Sequence, residues 1–270
     1  MSRYALRVVT RAGGATLVAG IAARLIAPAS AAEVAIAVAA AALAFELTRV
    51  HATFARRFDE LEAELAQTQP LLALQRVLPT RAPLPAMHGY AIAPDCALLL
   101  AELVARERPR LVVETGSGVS TLVLAYALEK LGHDGRVIAL DHDPRYAEAT
   151  RALIRAHGLE AYATVVDAPL ESIEIGGERH RWYATRVLAD LDDIDLVLDD
   201  GPPRHVGPML RYASLPVLAP RLSPHATFVL DVVGDEERGV LERWRHELPE
   251  LQHEPLRTKK GNVLIRRARD

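Results

Sequence analysis

The stretch LVVETGSGVSTLVLAYAL, residues 111–128, admits few folds. A β-branched apolar run stops at Glu114, glycines at 116 and 118 free the backbone to turn, and an apolar helical pattern starts at once. From Arg110 onward the alternation repeats. RLVVET, RVIALD, ATVVD, IDLVLDD and ATFVLD read as strands, with NVLIRR as a last one. Helical patterns fall between them at about 119–131, 144–157, 208–219 and 235–247. Strands that alternate with helices predict an α/β fold, a doubly wound parallel sheet covered on both faces.

Each of the first five strands ends at or beside an acid: Glu114, Asp141, Asp167, Asp200 and Asp231. In an open α/β sheet the ligand lies beyond the carboxyl ends of the strands, so these acids are expected to line one crevice. Thr115, Gly116, Ser117 and Gly118 form the first turn, which brings backbone close to a ligand and offers the unpaired N–H groups of a helix N-terminus. A dinucleotide fingerprint would need glycine at 121, where Thr121 stands, and Ser120 and Thr121 add hydroxyls instead. No Gly-Lys-Ser/Thr triplet of a Walker loop occurs. Asp141, followed by His142, lies 23 residues after Gly118 at the tip of the second strand, placed to accept hydrogen bonds from two ribose hydroxyls. With Asp167 at the third tip, the combination fits an adenosyl ligand.

These residues resemble the class I S-adenosylmethionine-dependent methyltransferases, over about residues 84–268. The resemblance is closest to a bacterial group, similar to methyltransferase family 24, that carries ETGSGVSTL after strand one and DGPP after strand four, here Glu114 to Leu122 and Asp200 to Pro203. RYASLPVLAPRL, VLD and ERGVLERW extend the match. The resemblance implies a Rossmann-like, mostly parallel seven-stranded sheet with an antiparallel last pair from residues 250–267. It implies that Glu114, Gly116 and Gly118 line the methionine part of S-adenosylmethionine, that Asp141 holds the ribose, and that Asp167 with Ala168 meets the adenine. In similar catechol-type O-methyltransferases the fourth-strand acid and an Asp-Asn pair after strand five bind a divalent cation. Asp200 and Asp231 match two of those positions, but Val232 replaces the asparagine, so a Mg²⁺ site lacks a donor and no metal site is assigned.

Methyl transfer needs alignment of the sulfonium methyl with a nucleophile, often with a base. Asp200, His205 and Asp231 are the catalytic candidates, with Asp199 beside them. His180 in GGERHRWY, before Trp182 and Tyr183, is read as part of a lid or substrate wall. The expected acceptor is an O or N nucleophile of a small molecule or glycan. A catalytically silent cofactor-binding domain is the alternative, and an NAD-linked oxidoreductase is disfavoured by Thr121. No CxxC or HExxH spacing supports zinc, and no GxSxG supports a serine hydrolase. A net charge of -3 offers no field for nucleic acid. The single cysteine, Cys96, lies in the apolar run PDCALLLAELV and reads as core.

Residues 1–68 form an appendage of different character. Two alanine-rich apolar runs between residues 13 and 48 flank Pro28, with Arg3, Arg7 and Arg11 before them and Arg49, Arg56 and Arg57 after. A membrane-associated hairpin with both ends cytosolic satisfies that arginine placement. A soluble packed helix and a signal peptide cleaved near Ala29-Ser30-Ala31 are the other readings. Export would separate a methyltransferase from its cytosolic cofactor, so the expected location is the cytoplasmic side of the membrane, or the cytoplasm. RRFDELEAELAQTQ continues as an amphipathic stalk, too short at two heptads to specify the homo-oligomer it would allow. Residues 69–93 read as a linker and cofactor cover, and 94–270 as the methyltransferase domain.

Overall fold

The computed structural model describes residues 31–132, 134–231 and 234–267. The chain divides into two units, residues 1–65 and 66–270. In the first, α1 runs unbroken over Ala31–Ala66. No glycine or proline interrupts these residues, so the second apolar run and the charged stalk form one helix. Thr48 and Thr53 return their hydroxyls to the carbonyls of Ala44 and Arg49, at 2.7 and 2.9 Å. Ile36, Leu43, Phe45 and Phe54 are exposed, and one stretch is long and apolar enough, by length and composition, to cross a membrane. The run before Pro28, Pro28 itself, the first three arginines and the Ala29-Ser30 site fall outside the described residues.

The second unit opens with α2 (Thr68–Val77) and α3 (Pro94–Glu107). Part of the stretch read as a linker is therefore helical, with Leu74 and Leu78 buried in the core. Pro70 lies in the first turn of α2, where a helix tolerates it. Arg81 fixes the remainder: its Nε donates to His157 O at 2.8 Å and its Nη1 to Glu129 at 2.8 Å.

There follow β1 (Leu111–Thr115), α4 (Val119–Leu131), β2 (Arg136–Asp141), α5 (Pro144–Ala156), β3 (Ala163–Asp167), β4 (Leu170–Ile175), β5 (Glu178–Tyr183) and β6 (Ile194–Asp199). The chain ends with α6 (Ser214–Leu218), β7 (Leu222–Leu230), α7 (Asp235–Glu247), β8 (Leu251–Pro255) and β9 (Val263–Arg267). Seven strands form one sheet in the order β3-β2-β1-β6-β7-β9-β8. β9 is antiparallel to both β7 and β8, and the other pairings are parallel, as the alternation and the resemblance predict. The order reverses at β1, between β2 and β6, the switch point where a doubly wound sheet opens a crevice.

Two features differ from the sequence reading. The expected helix at 208–219 is a short α6 between 3₁₀ turns at Leu210–Ala213 and Ala219–Arg221, because Pro216 and Pro220 remove backbone donors. Residues 176–183, read as part of a lid or substrate wall, are the turn and second strand of the β4–β5 hairpin, turned by Gly176 and Gly177 at φ +58° and +81°. Its Trp182 and Tyr183 are fully buried in the core.

Candidate active site

β1 carries Glu114 and Thr115 into the interior, both with no exposed surface. A buried carboxylate needs donors. Ser120 and Thr121, in the first turn of α4, supply them: Ser120 Oγ donates to Oε1, and Thr121 Oγ1 to Oε2 at 2.7 Å. Burial still pushes Glu114 up to about 7, against those hydrogen bonds and with the Asp141 charge adding to the rise. Gly118 N–H donates to Thr121 Oγ1 at 3.0 Å and starts the helix. Gly116 and Gly118 hold φ of +98° and +155°, a region that any Cβ makes unfavourable.

The turn is tied to the next strand. Gly116 N–H donates to Leu140 O at 2.8 Å, and Ser117 Oγ donates to Asp141 Oδ2 at 2.5 Å and lies 3.0 Å from Thr150 Oγ1. Asp141 Oδ1 accepts from Asp143 N–H at 3.0 Å, with His142 Nδ1 at 3.8 Å. Asp167 is the register partner of Asp141 across β2 and β3; its exposed carboxylate pairs with Arg151 at 2.7 Å. The buried Ala168 donates its N–H to Asp141 O at 2.8 Å. The glycine turn, Asp141, Asp167 and Ala168 thus adjoin along one sheet edge. The side chain of Thr115 turns the other way, donating to Asp199 Oδ1 at 2.6 Å, and the hydroxyl protons of Ser120 and Thr121 are committed to Glu114.

Asp199, at the end of β6, also accepts from Ser214 Oγ at 2.8 Å, and Ser214 accepts from Trp182 Nε1 at 3.1 Å. Burial raises Asp199 to about 6, opposed by Arg211 and these hydroxyls. The next two acids form a pair. Burial, and after it the neighbouring Asp231 charge, holds Asp200 well above the usual carboxylate range. Arg211 spans the tips of β6 and β7: Nη2 donates to Asp200 O at 2.8 Å and lies 3.6 Å from its carboxylate, while Nη1 donates to Asp231 O. Asn262 Nδ2 donates to Asp231 Oδ1 at 2.9 Å, and Lys260 Nζ lies 3.5 Å from Asp231 Oδ2. His205 is exposed in the 3₁₀ turn Arg204–Val206, its ring 6.2 Å from that of Tyr90.

Arg211, Lys260 and Asn262 were not singled out by sequence reasoning. Arg211 stands in RYASLPVLAPRL, but nothing in TKKGN marks Lys260 or Asn262 as neighbours of an acid about thirty residues earlier. A Mg²⁺ ion would require several oxygen donors with room between them. Among the described residues no group of three or more His, Cys, Asp or Glu side chains is placed to hold a metal. Arg211 and Lys260 already flank the Asp200–Asp231 pair, and Asn262 meets it with N–H. Val232, the departure at the expected asparagine position, lies outside the described residues. The residues present do not fit a divalent cation.

Comparison with known proteins bears on the same segment. A family model described as "Methyltransferase domain", methyltransferase family 24, matches residues 113–232. Protein-L-isoaspartate O-methyltransferase 2 of Archaeoglobus fulgidus is 28% identical over 110 residues, 40% of this chain and 50% of that protein. The chain thus aligns with about half the length of that relative. The Podospora anserina methyltransferase PaMTH1, solved with SAH, superposes with a TM-score of 0.54 at 15% identity, covering 79% of this chain and 96% of that one. An O-methyltransferase from Bacillus cereus, also with SAH, gives 0.52 at 17% identity, covering 74% and 91%. At these identities the likeness is one of fold.

Proposed function

We propose an activity on the premise that residues 113–232 belong to the class I S-adenosylmethionine-dependent methyltransferases of the family 24 type. The chain moves a methyl group from S-adenosylmethionine to a hydroxyl oxygen of a small molecule. One observation carries the reading: the Gly116–Gly118 turn, at positive φ, is locked through Ser117 to the acid at the tip of β2. Such a turn brings backbone N–H groups close to a ligand and leaves Asp141 beside it for a diol.

S-adenosylmethionine supplies the electrophilic methyl, so the protein's work is alignment of the acceptor oxygen. The Asp200–Asp231 pair, with Arg211 behind it, lies at the strand tips on the other side of β1, where an acceptor would sit. A hydroxyl there can hydrogen bond to the pair; as its oxygen takes the methyl, the S–CH3 bond breaks, S-adenosylhomocysteine leaves, and the hydroxyl proton passes to a carboxylate oxygen of the pair. A catalytically silent domain is the second reading, favoured by the exposure of His205. Incubating the full chain with methyl-labelled S-adenosylmethionine and small-molecule extracts separates them. Labelled product supports transfer, and binding of S-adenosylhomocysteine without label in any fraction supports the silent domain. If Asp200→Asn and His205→Ala both keep near wild-type rates, proximity alone drives transfer.

The length and apolar composition of α1 suit contact with a membrane, and the cytosolic origin of S-adenosylmethionine favours the cytoplasmic side. Equal recovery in the soluble fraction of the full chain and of a version starting at His51 would contradict it.

A further inference from the structure

Two carboxyl groups buried side by side need positive charge close by. At the tips of β6 and β7 that charge comes from Arg211 and from a lysine of the turn that precedes β9. Three features make Lys260 part of a built site. Its Nζ donates to Ala91 O at 2.9 Å, which aims the ammonium inward, and only 16% of the side chain is exposed. The turn that carries it is fixed: Thr258 Oγ1 accepts from Gly261 N–H at 3.1 Å and Asn262 N–H at 2.8 Å, Gly261 sits at φ +81°, and Lys259 N–H donates to Asp95 Oδ2 at 2.6 Å. Asp231 Oδ2, the atom that Lys260 faces at 3.5 Å, is buried and makes no hydrogen bond. An ammonium has three donors, and one of the three is spent on Ala91.

We propose that the Lys260 ammonium is the resident cation of the acceptor end: it balances the Asp200–Asp231 pair in the place a divalent metal would take, and turns a remaining N–H toward the acceptor's nucleophilic oxygen. The proposal rests on the methyltransferase reading for the acceptor, but the occupancy of the cation position is tested without turnover. A groove of about 390 Å³, bordered by Gly234, Arg238, Leu241 and Lys260, adjoins this side chain.

The test is a titration with Mn²⁺, followed by loss of the free-ion electron paramagnetic resonance signal, on the full chain with S-adenosylhomocysteine present. The wild type should take up no Mn²⁺ into the millimolar range, where weak oxygen sites fill. Lys260→Ala should gain up to one equivalent, and adding Asp231→Asn should abolish the gain. Uptake by the wild type, no uptake by Lys260→Ala, or uptake indifferent to Asp231→Asn overturns the proposal. If Lys260→Ala does not fold, Lys260→Gln, close in length and uncharged, carries the same comparison. Heat of S-adenosylhomocysteine binding, measured on each protein, reports on the methyltransferase reading separately.

Discussion

The two ends of the crevice are built in opposite ways. At the tips of β1 and β2 the polar side chains satisfy one another: Glu114 by Ser120 and Thr121, Asp141 by Ser117 and the Asp143 N–H. At the tips of β6 and β7, buried polar atoms make no hydrogen bond: Asp199 Oδ2, Asp231 Oδ2, Arg211 Nε and Asn262 Oδ1, with Tyr183 Oη below them. Buried groups without partners are costly, and native structures keep few. On the proposed reading the first end is the cradle of the unvarying cofactor, and the second is where the acceptor would meet the remaining polar atoms.

The sharpest way to break this contrast is at the glycine turn. Gly116→Val places a branched side chain at φ +98°, a strain of about 1–3 kcal/mol before any overlap with the ligand, and calorimetry should find S-adenosylhomocysteine binding lost. Inside the protein a Cβ there meets only ordinary contact, 3.8 Å from the Asp200 carbonyl carbon, so fold and binding should separate.

Glu114 gives the next largest effect. Its pKa in the folded chain, about 7, lies above the ordinary 4.5, so between those values the folded state holds the extra proton and stability falls as pH rises. The loss across that window is about 3 kcal/mol at one pKa unit per 1.36 kcal/mol. Denaturant titrations of Glu114→Gln should show this contribution removed, with Asp199, raised from 3.8 to about 6, leaving a slope of the same sign and nearly the same size. An identical slope in wild type and variant would mean that Glu114 is not the buried acid described.

Asp141→Ala should weaken S-adenosylhomocysteine by roughly 1.5–3 kcal/mol, the usual loss of a charge-assisted hydrogen bond. Unchanged affinity would give the ribose to another acid. The smallest effect probes the open end. A Cβ on Gly201 would stand 2.5 Å from Tyr183 Oη, so Gly201→Ala should destabilise by about 1–3 kcal/mol of overpacking. Tyr183→Phe in the same chain should recover much of it, because the lost hydroxyl had no partner. Thermal melts that show no recovery would place the clash on the Thr115 carbonyl instead, 3.1 Å away.

The contrast also explains what was legible. Glu114, Gly116, Gly118, Ser120 and Thr121 interact within eight positions, so spacing alone exposes the turn. Strand tips reveal Asp141, Asp200 and Asp231, since apolar runs end there. What the sequence hides is pairing across distance. Asp231 meets Lys260 and Asn262 only because β9 returns antiparallel beside β7, and Asp199 meets Thr115 only because β6 lies beside β1. The β4–β5 hairpin was readable from Gly176-Gly177 between two alternating runs, but its charges obscured the alternation. The broken helix at 210–221 was readable from Pro216 and Pro220, which an apolar count passes over.

On the proposed function, the Gly116–Gly118 turn and Asp141 form an adenosyl-sulfonium site and not a dinucleotide site. Calorimetric titration of the full chain with S-adenosylhomocysteine and, separately, with NAD⁺ tests it most directly. Saturable binding of S-adenosylhomocysteine at one equivalent, weakened in Asp141→Ala, with no heat from NAD⁺, is the predicted result. Saturable NAD⁺ binding with none of S-adenosylhomocysteine would contradict it.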